Sequence, residues 1–362
     1  MIERYIVIMA GGKGERFWPQ SRLRRPKQLL PIVGDSSMLN QTVERLSGFV
    51  PIENVFVLTN SVQRDAVLDV CPQLLKENVV AEPVGRDTAA AVALATFLIK
   101  QRNPEGVFAI LPADHIIYDQ DAFHSVLNSA FGAAEKNDVL VTIGIVPTEP
   151  ATGYGYIHQG EEIERIEGHS ICRVERFVEK PDLETAKGYV SSMEYLWNGG
   201  MFIWQVNAIE QALKSHVPEL YSGFLEIEQE VKAGTSLLKA LADFFPELQK
   251  ISIDYAVMEK ADNVVTVPAN FDWDDVGEWG AIVRHSTADS DGNTTKGSVV
   301  IEEGSHNLVI SSDEHLIALV GVDDLIVVRT ADATLVCRRS DSQKIKNLVE
   351  RLGKDEKYKK FL

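Results

Sequence analysis

Cysteine is scarce in this chain: Cys71, Cys172 and Cys337 are the only three in 362 residues, and none falls in a CxxC pair. Such an odd, scattered set argues against a zinc site and for a reducing cytoplasm. Long apolar runs are missing too. No stretch approaches the roughly 20 residues of a membrane-spanning helix. The opening MIERYIVIMAGG, with an acid at Glu3, has too short an apolar core for a signal peptide. Nor is there a low-complexity segment. Positive charge is in deficit, 36 Lys and Arg against 53 Asp and Glu for a net charge of -17. That balance disfavours nucleic acid and anionic membrane as partners.

The cations that are present crowd one end. Residues 1–30 hold seven against two acids, so this segment carries +5 and the rest of the chain -22. A basic focus on an acidic protein points to a local anion site. The apolar run Tyr5–Met9 ends in Ala10-Gly11-Gly12-Lys13-Gly14, and Arg16, Arg22, Arg24, Arg25 and Lys27 follow. Closely spaced glycines let the backbone turn tightly and aim N–H groups at an oxyanion. Arg and Lys add charge and forked donors suited to phosphate. A solvated basic loop is the alternative, but glycine turns directly after a strand favour phosphate. The loop is not a P-loop, because Glu15-Arg16 follows Gly14 where that motif needs Lys and then Ser or Thr. Phe17 at the third glycine position of a dinucleotide fingerprint argues against an NAD-linked oxidoreductase.

Apolar content of 45% and charged content of 25% are those of a globular protein, and the length allows two domains. Strand-like runs at 5–9, 54–58, 78–81, 107–111 and 139–146 alternate with helical ones at 37–49, 62–70, 87–100 and 121–136. This order predicts an α/β fold, a Rossmann-like, mostly parallel sheet with helices on both faces. The helix over 87–100 is apolar nearly all round and is expected to be buried. The polar stretch 289–297 reads as a linker, dividing a domain at 1–288 from a small β-rich one at 289–362. In the latter, short β-runs at 298–301, 307–310, 316–320, 325–329 and 334–337 suggest a β-roll or short β-helix, closed by a helix over 340–352.

Ligands in such folds sit beyond the carboxyl ends of strands, and the Gly loop, Asp114 and Glu179-Lys180 all fall there. Asp114, in Leu111-Pro112-Ala113-Asp114-His115, is either a Mg²⁺ ligand or a cap for the next segment. His115 is either a base or a structural hydrogen bonder. Phe271-Asp272-Trp273-Asp274-Asp275-Val276-Gly277 sets three acids among aromatics, an expensive arrangement without a cation or metal. It is a second metal carboxylate site or the N-cap of a helix over 278–285. Glu179-Lys180 reads a sugar phosphate or is an ordinary surface ion pair. The glycine-containing, aromatic-flanked segments 152–156 and 197–202 suit a sugar pocket or are turns before strands. Asp87 or Thr88 is expected to cap the buried helix, whose start can also hold nucleotide groups.

In order along the chain, AGGKGERFWP…RPKQ, EPVGRDTAAA, LPADH, TGYGYI, FVEKP, WNGGMFIW, ISIDYAVMEK and FDWDDVGEW resemble the mannose-1-phosphate guanylyltransferases (GDP-mannose pyrophosphorylases). The opening motif marks the nucleotidyl-sugar pyrophosphorylase superfamily. GRDTAAA, WNGGMF and the Trp-Asp-Asp-Val-Gly stretch point to the guanylyl, mannose branch. The resemblance implies that GTP and α-D-mannose 1-phosphate give GDP-mannose and diphosphate, with Mg²⁺ as cofactor, in a cytoplasmic homodimer. The sugar phosphate would attack the α-phosphorus in line. Arg16 would clamp the leaving diphosphate and Lys27 would sit on the α-phosphate. Ala10, Gly11, Gly12, Gly14, Asp87 and Thr88 would line the nucleotide. Gly155, Glu179, Lys180 and Asn198 would bind the sugar phosphate, and Asp114 and Asp275 the metal. Asp87 stands where many relatives have Asn, and Asp274 where many have Ser; alignment on Val276-Gly277 favours Asp275 as the ligand. Some relatives carry an appended phosphomannose isomerase domain. The chain ends before one, so a second activity is not expected. Rival readings are a pyrophosphorylase for another sugar 1-phosphate or nucleotide, and a catalytically silent GDP-mannose-binding regulatory subunit. The presence of Arg16, Lys27, Asp114 and Asp275 favours an enzyme.

Overall fold

The computed structural model describes residues 2–362. Strands β1 (Arg4–Met9), β2 (Val55–Asn60), β3 (Val79–Glu82) and β4 (Val107–Pro112) pair in parallel, in the order β3-β2-β1-β4. They are covered on both faces, which is why their sequences are continuously apolar and not alternating. Tyr5 and Val7 enter one core, Ile6 and Ile8 the other. Helices α1 (Met38–Arg45), α2 (Arg64–Val70) and α4 (Gln120–Lys136) cover the Ile6 face. On the Tyr5 face lie α3 (Asp87–Arg102), α6 (Val206–His216), α7 (Pro218–Lys232) and α8 (Leu237–Phe244); α5 (Leu183–Ser192) follows the edge hairpin described next. The burial expected of α3 follows from this covering layer: Phe97 meets Phe224 of α7.

The other half of the sheet is mixed. Strand β8 (Tyr195–Gln205) runs antiparallel between β4 and β5 (Leu140–Ile145). β5 pairs in parallel with β9 (Val264–Ala269), and the hairpin β6 (Tyr156–Ile166)–β7 (His169–Val178) completes nine strands. Residues 197–202 are therefore not a turn. They lie inside β8, with Gly200 at φ 63°.

The C-terminal strands fall close to where their β-runs predict. β10 (Thr294–Lys296), β12 (Leu308–Ser311), β14 (Leu325–Arg329) and β15 (Thr334–Arg338) form one sheet, and β11 (Val299–Glu302) pairs with β13 (Ile317–Val320). Pairing is parallel from coil to coil until the antiparallel β15. The stretch 289–297 is not a free linker, since it contains β10. Buried Asn293 anchors it, accepting from the Asn307 backbone N–H at 2.9 Å. The closing helix starts as a 3₁₀ segment, Arg339–Lys344, before α9 (Ile345–Gly353). Ile345 and Val349 of α9 join Phe17, Trp18, Val276 and Ile282 in one apolar cluster, so the β-rich segment sits directly on the Gly loop. Among the described residues, no helix is long and apolar enough to cross a membrane.

Candidate active site

Parallel pairing puts the carboxyl ends of β1 to β4 on one side of the sheet. The Gly loop leaves β1 there, Glu82 ends β3, Asp114 follows β4 and the acidic stretch 271–277 follows β9. Because β8 is antiparallel, its first half reaches the same side, with Asn198 opposite Gly144 near the end of β5. Two cavities result, and Asp114 lines both. One, of about 440 Å³, is bounded by Gly14, Arg16, Lys27, His115 and Asp275. The other, of about 310 Å³, is bounded by Gly11, Gly12, Glu82, Asp87 and Thr88.

In the larger cavity Lys27 is the central charge. It is buried, and its Nζ donates to Asp114 Oδ2 at 2.9 Å and to the Asp275 carbonyl at 2.7 Å. Gly14 makes this possible. Its φ of 61° is left-handed, and a Cβ there would lie 2.6 Å from Lys27 Cβ. Gln28 fixes the loop from below, its Nε2 donating to the carbonyls of Ala10 at 2.7 Å and Gly12 at 2.9 Å. Arg16 stays exposed at the cavity edge. Burial pushes the Asp114 carboxyl up, but Lys27 and His115 outweigh it and hold it below its ordinary range. Asp275 moves the opposite way, raised chiefly by burial against the pull of Lys27. His115 is pushed down to about 4 by burial, and its Nδ1 accepts from Trp273 Nε1 at 3.1 Å. With its Nδ1 lone pair engaged by the indole N–H, His115 serves as a hydrogen-bond acceptor to Trp273.

The two adjacent acids have separate roles. Asp274 is saturated: Arg284 donates to both its oxygens at 2.7 and 2.9 Å, His285 lies at 2.8 Å, and the Val276 N–H donates at 2.7 Å. Burial works against its ionisation, but these bonds drive its pKa far down. They also hold Val276 at φ 44°, a costly conformation for a β-branched residue. The strained turn aims Asp275 into the cavity, where Tyr154 donates to its Oδ1 at 3.2 Å. The segment is followed by a 3₁₀ helix, Trp279–His285, whose preceding residue, Glu278, makes no side-chain cap. Asp114 and Asp275 offer hard carboxylate oxygens, a donor set that fits Mg²⁺. No group of three or more His, Cys, Asp or Glu able to hold a metal occurs among the described residues. A metal here would thus take much of its coordination from phosphates and water, as Mg²⁺ commonly does.

The smaller cavity corrects one expectation. Thr88 does not cap α3, and Asp87 takes only the N–H of its neighbour Thr88, at 2.8 Å. Arg86 stands at the cap, Asp87 has φ 66°, and Thr88 Oγ1 accepts from the Ile253 N–H at 2.8 Å. Of the first N–H groups of this helix, that of Thr88 thus stays local and that of Ala89 donates to the distant Ile251 carbonyl. Both Asp87 and Thr88 still line the cavity, with Gly11 and Gly12. Sequence reasoning missed Glu82. It is 7% exposed, its Oε1 has no hydrogen-bond partner, and burial pushes its carboxyl up to about 8.

Gly155, Glu179, Lys180 and Asn198 do not line either of these cavities. Three of them form an adjoining cluster: the Asn198 N–H donates to the Gly155 carbonyl, Asn198 Nδ2 to Asp254 Oδ1 at 2.8 Å, and Tyr255 Oη to Glu179 Oε2 at 2.6 Å. Lys180 stays exposed, 3.6 Å from Glu179. Asp254, Tyr255 and Tyr154 escaped individual notice, although an acid flanked by apolar residues in ISIDYAVMEK was the available signal. For Glu82 that signal was an acid closing an otherwise apolar strand.

Comparison with known proteins agrees with this geometry. Residues 5–292 match the nucleotidyl transferase family, and residues 298–352 match a mannose-phosphate isomerase/GMP-like β-helix domain. A mannose-1-phosphate guanylyltransferase of Klebsiella pneumoniae is 40% identical over 353 residues, 97% of this chain and 74% of that protein. One from Escherichia coli K12 is 39% identical over 98% of this chain and 74% of its own length. A crystal structure from Thermus thermophilus, described as a "mannose-1-phosphate geranyltransferase", superposes with a TM-score of 0.84 at 34% identity, covering 97% of this chain and all of that one. The chain belongs to the nucleotidyl transferase family, in the branch of the mannose-1-phosphate guanylyltransferases.

Proposed function

We propose that this protein converts GTP and α-D-mannose 1-phosphate into GDP-mannose and diphosphate. One observation carries the reading: Lys27 Nζ held between Asp114 and the Asp275 turn, at the floor of a cavity walled by a Gly loop and Arg16. Such a site needs no protein nucleophile. The sugar phosphate oxygen attacks the α-phosphorus, the bond to the bridging oxygen breaks, and diphosphate leaves. Catalysis is alignment plus charge neutralisation. Lys27 sits on the α-phosphate, where negative charge shifts in the transition state, and Arg16 clamps the departing diphosphate. Asp114 and Asp275 hold Mg²⁺, which when bound neutralises phosphate charge. Gly155, Glu179, Lys180 and Asn198, with Asp254 behind Asn198, hold the mannose 1-phosphate. The catalytic unit is residues 1–288, with 289–362 packed on it. We place the reaction in the cytoplasm, where its free thiols stay reduced.

Glu82, with Gly11 and Gly12, lines the smaller cavity, which we read as the pocket of the nucleotide base. The test is diphosphate release with Mg²⁺ and mannose 1-phosphate, comparing GTP, ATP, UTP and dTTP, with glucose 1-phosphate as the sugar control. Release confined to GTP and mannose 1-phosphate is expected. Release with another pair overturns the specificity, and folded protein that binds GDP-mannose without turnover would be the silent subunit.

A further inference from the structure

The phosphate cavity has a wall that does not come from the catalytic sheet. Lys346, on α9, lines it together with Lys13, Arg16 and Lys27. Lys346 is the second residue of α9, directly after the 3₁₀ turn that leads into the helix. Its ion pair, with Glu350, sits at the 4.0 Å limit on an exposed surface and holds it weakly. The backbone beneath it, by contrast, is firmly held from two sides. Ser342 and Gln343, just before α9, both donate to Glu278 Oε2, at 2.7 and 2.6 Å, next to the Asp275–Gly277 turn. Beyond α9, the Phe361 carbonyl accepts from Trp18 Nε1 at 2.8 Å and from Arg22, while Arg22 also reaches Asp332. The C-terminal segment thus clamps both the Gly loop and the metal-side turn, leaving an exposed cation between them.

We propose that Lys346 is a phosphate-binding residue of the active site, contributed by the β-rich C-terminal segment, and that it contacts the terminal phosphates of the nucleotide and the departing diphosphate. This rests on the reading of the larger cavity as the polyphosphate site. In that role Lys346 neutralises charge on the outer phosphates while Lys27 serves the α-phosphate, so its loss affects the binding of diphosphate and GTP more than that of the sugar phosphate.

The experiment is calorimetric titration of the full chain with Mg²⁺-diphosphate, which does not depend on turnover, alongside steady-state kinetics in the diphosphate-consuming direction. Lys346→Ala is expected to weaken diphosphate binding about tenfold, the size of one charge-assisted contact. It should raise KM for diphosphate by a similar factor, with kcat nearly unchanged. Lys346→Arg should restore most of the affinity, and Lys344→Ala, a neighbouring lysine paired with Asp341, should bind as the wild type does. Equal affinity of wild type and Lys346→Ala for diphosphate overturns the inference. Wild-type protein that binds diphosphate but transfers no guanylyl group contradicts the proposed function and leaves the assignment of Lys346 standing.

Discussion

The two cavities that share Asp114 balance their charges in opposite ways. In the larger one Asp114 has Lys27 for a partner, and Asp275 has Tyr154 and the Gly277 N–H. In the smaller one, which we propose takes the base, Glu82 has an unpaired oxygen in a buried position. A site for a polyphosphate must be organised before its ligand arrives, because reorienting cations during reaction would raise the barrier. Selectivity among bases is better served by a group left unsatisfied. A ligand that meets it supplies the missing hydrogen bond, and one that does not leaves the buried group unsatisfied.

The sharpest way to break this contrast is to remove the organised charge. Lys27→Ala should lower kcat by about 10²–10³-fold with the fold intact, measured as diphosphate release beside a circular dichroism spectrum. Full activity in a folded variant would take Lys27 out of the mechanism. Next comes the unsatisfied group. Glu82→Ala should reduce kcat/KM for GTP by about tenfold while leaving the metal requirement as it was. An unchanged preference among the four nucleotides would leave guanine selection to the surrounding backbone.

Smaller effects sharpen the comparison through stability. The Glu82 carboxyl rises from 4.5 to about 8 on burial. Relative to an uncharged side chain, its contribution is fully present below pH 4.5 and is lost as the pH rises through 8. Glu82→Gln should therefore melt higher than wild type at the alkaline side of this window and equally at the acid side. Asp274 behaves inversely. Its depressed pKa stabilises the fold above the ordinary value of 3.8, and that stabilisation drains away as the pH falls below it. Asp274→Asn should cost about 2 kcal/mol in denaturant titrations near neutrality, a moderate figure because Arg284 is half-exposed. Asp275→Asn should leave stability nearly as it is and raise the Mg²⁺ concentration needed for activity. If Asp274→Asn alone changes the metal requirement, the assignment of Asp275 fails.

Much of the scaffold was legible in the chain. Strands such as Tyr5–Met9 are continuously apolar because both faces are covered, and glycines mark their exits. The hairpin β6–β7 was less so, since the run of exposed residues 161–163 breaks its alternation. Strand β8 carries Gly199-Gly200 in its middle, which reads locally as a turn and is overruled by pairing with both β4 and β5. The start of α3 deceived for a related reason: Thr88 looks like a cap, but its hydroxyl accepts from the Ile253 N–H and the Ala89 N–H donates to the Ile251 carbonyl, far along the chain.

Chain order and residue type alone determined the α/β class, the glycine-rich basic loop after the first strand, the C-terminal β-runs and the acids at strand ends. These follow from local periodicity and from chemistry that short motifs carry within themselves. Tertiary structure decided which of two neighbouring aspartates faces the larger cavity, that Glu82 is buried without a partner, and that a lysine from the last helix lines the cavity of Lys27. Each of those depends on what packs around a side chain. Burial and pairing set its charge and its freedom, and neither is encoded by its neighbours in sequence.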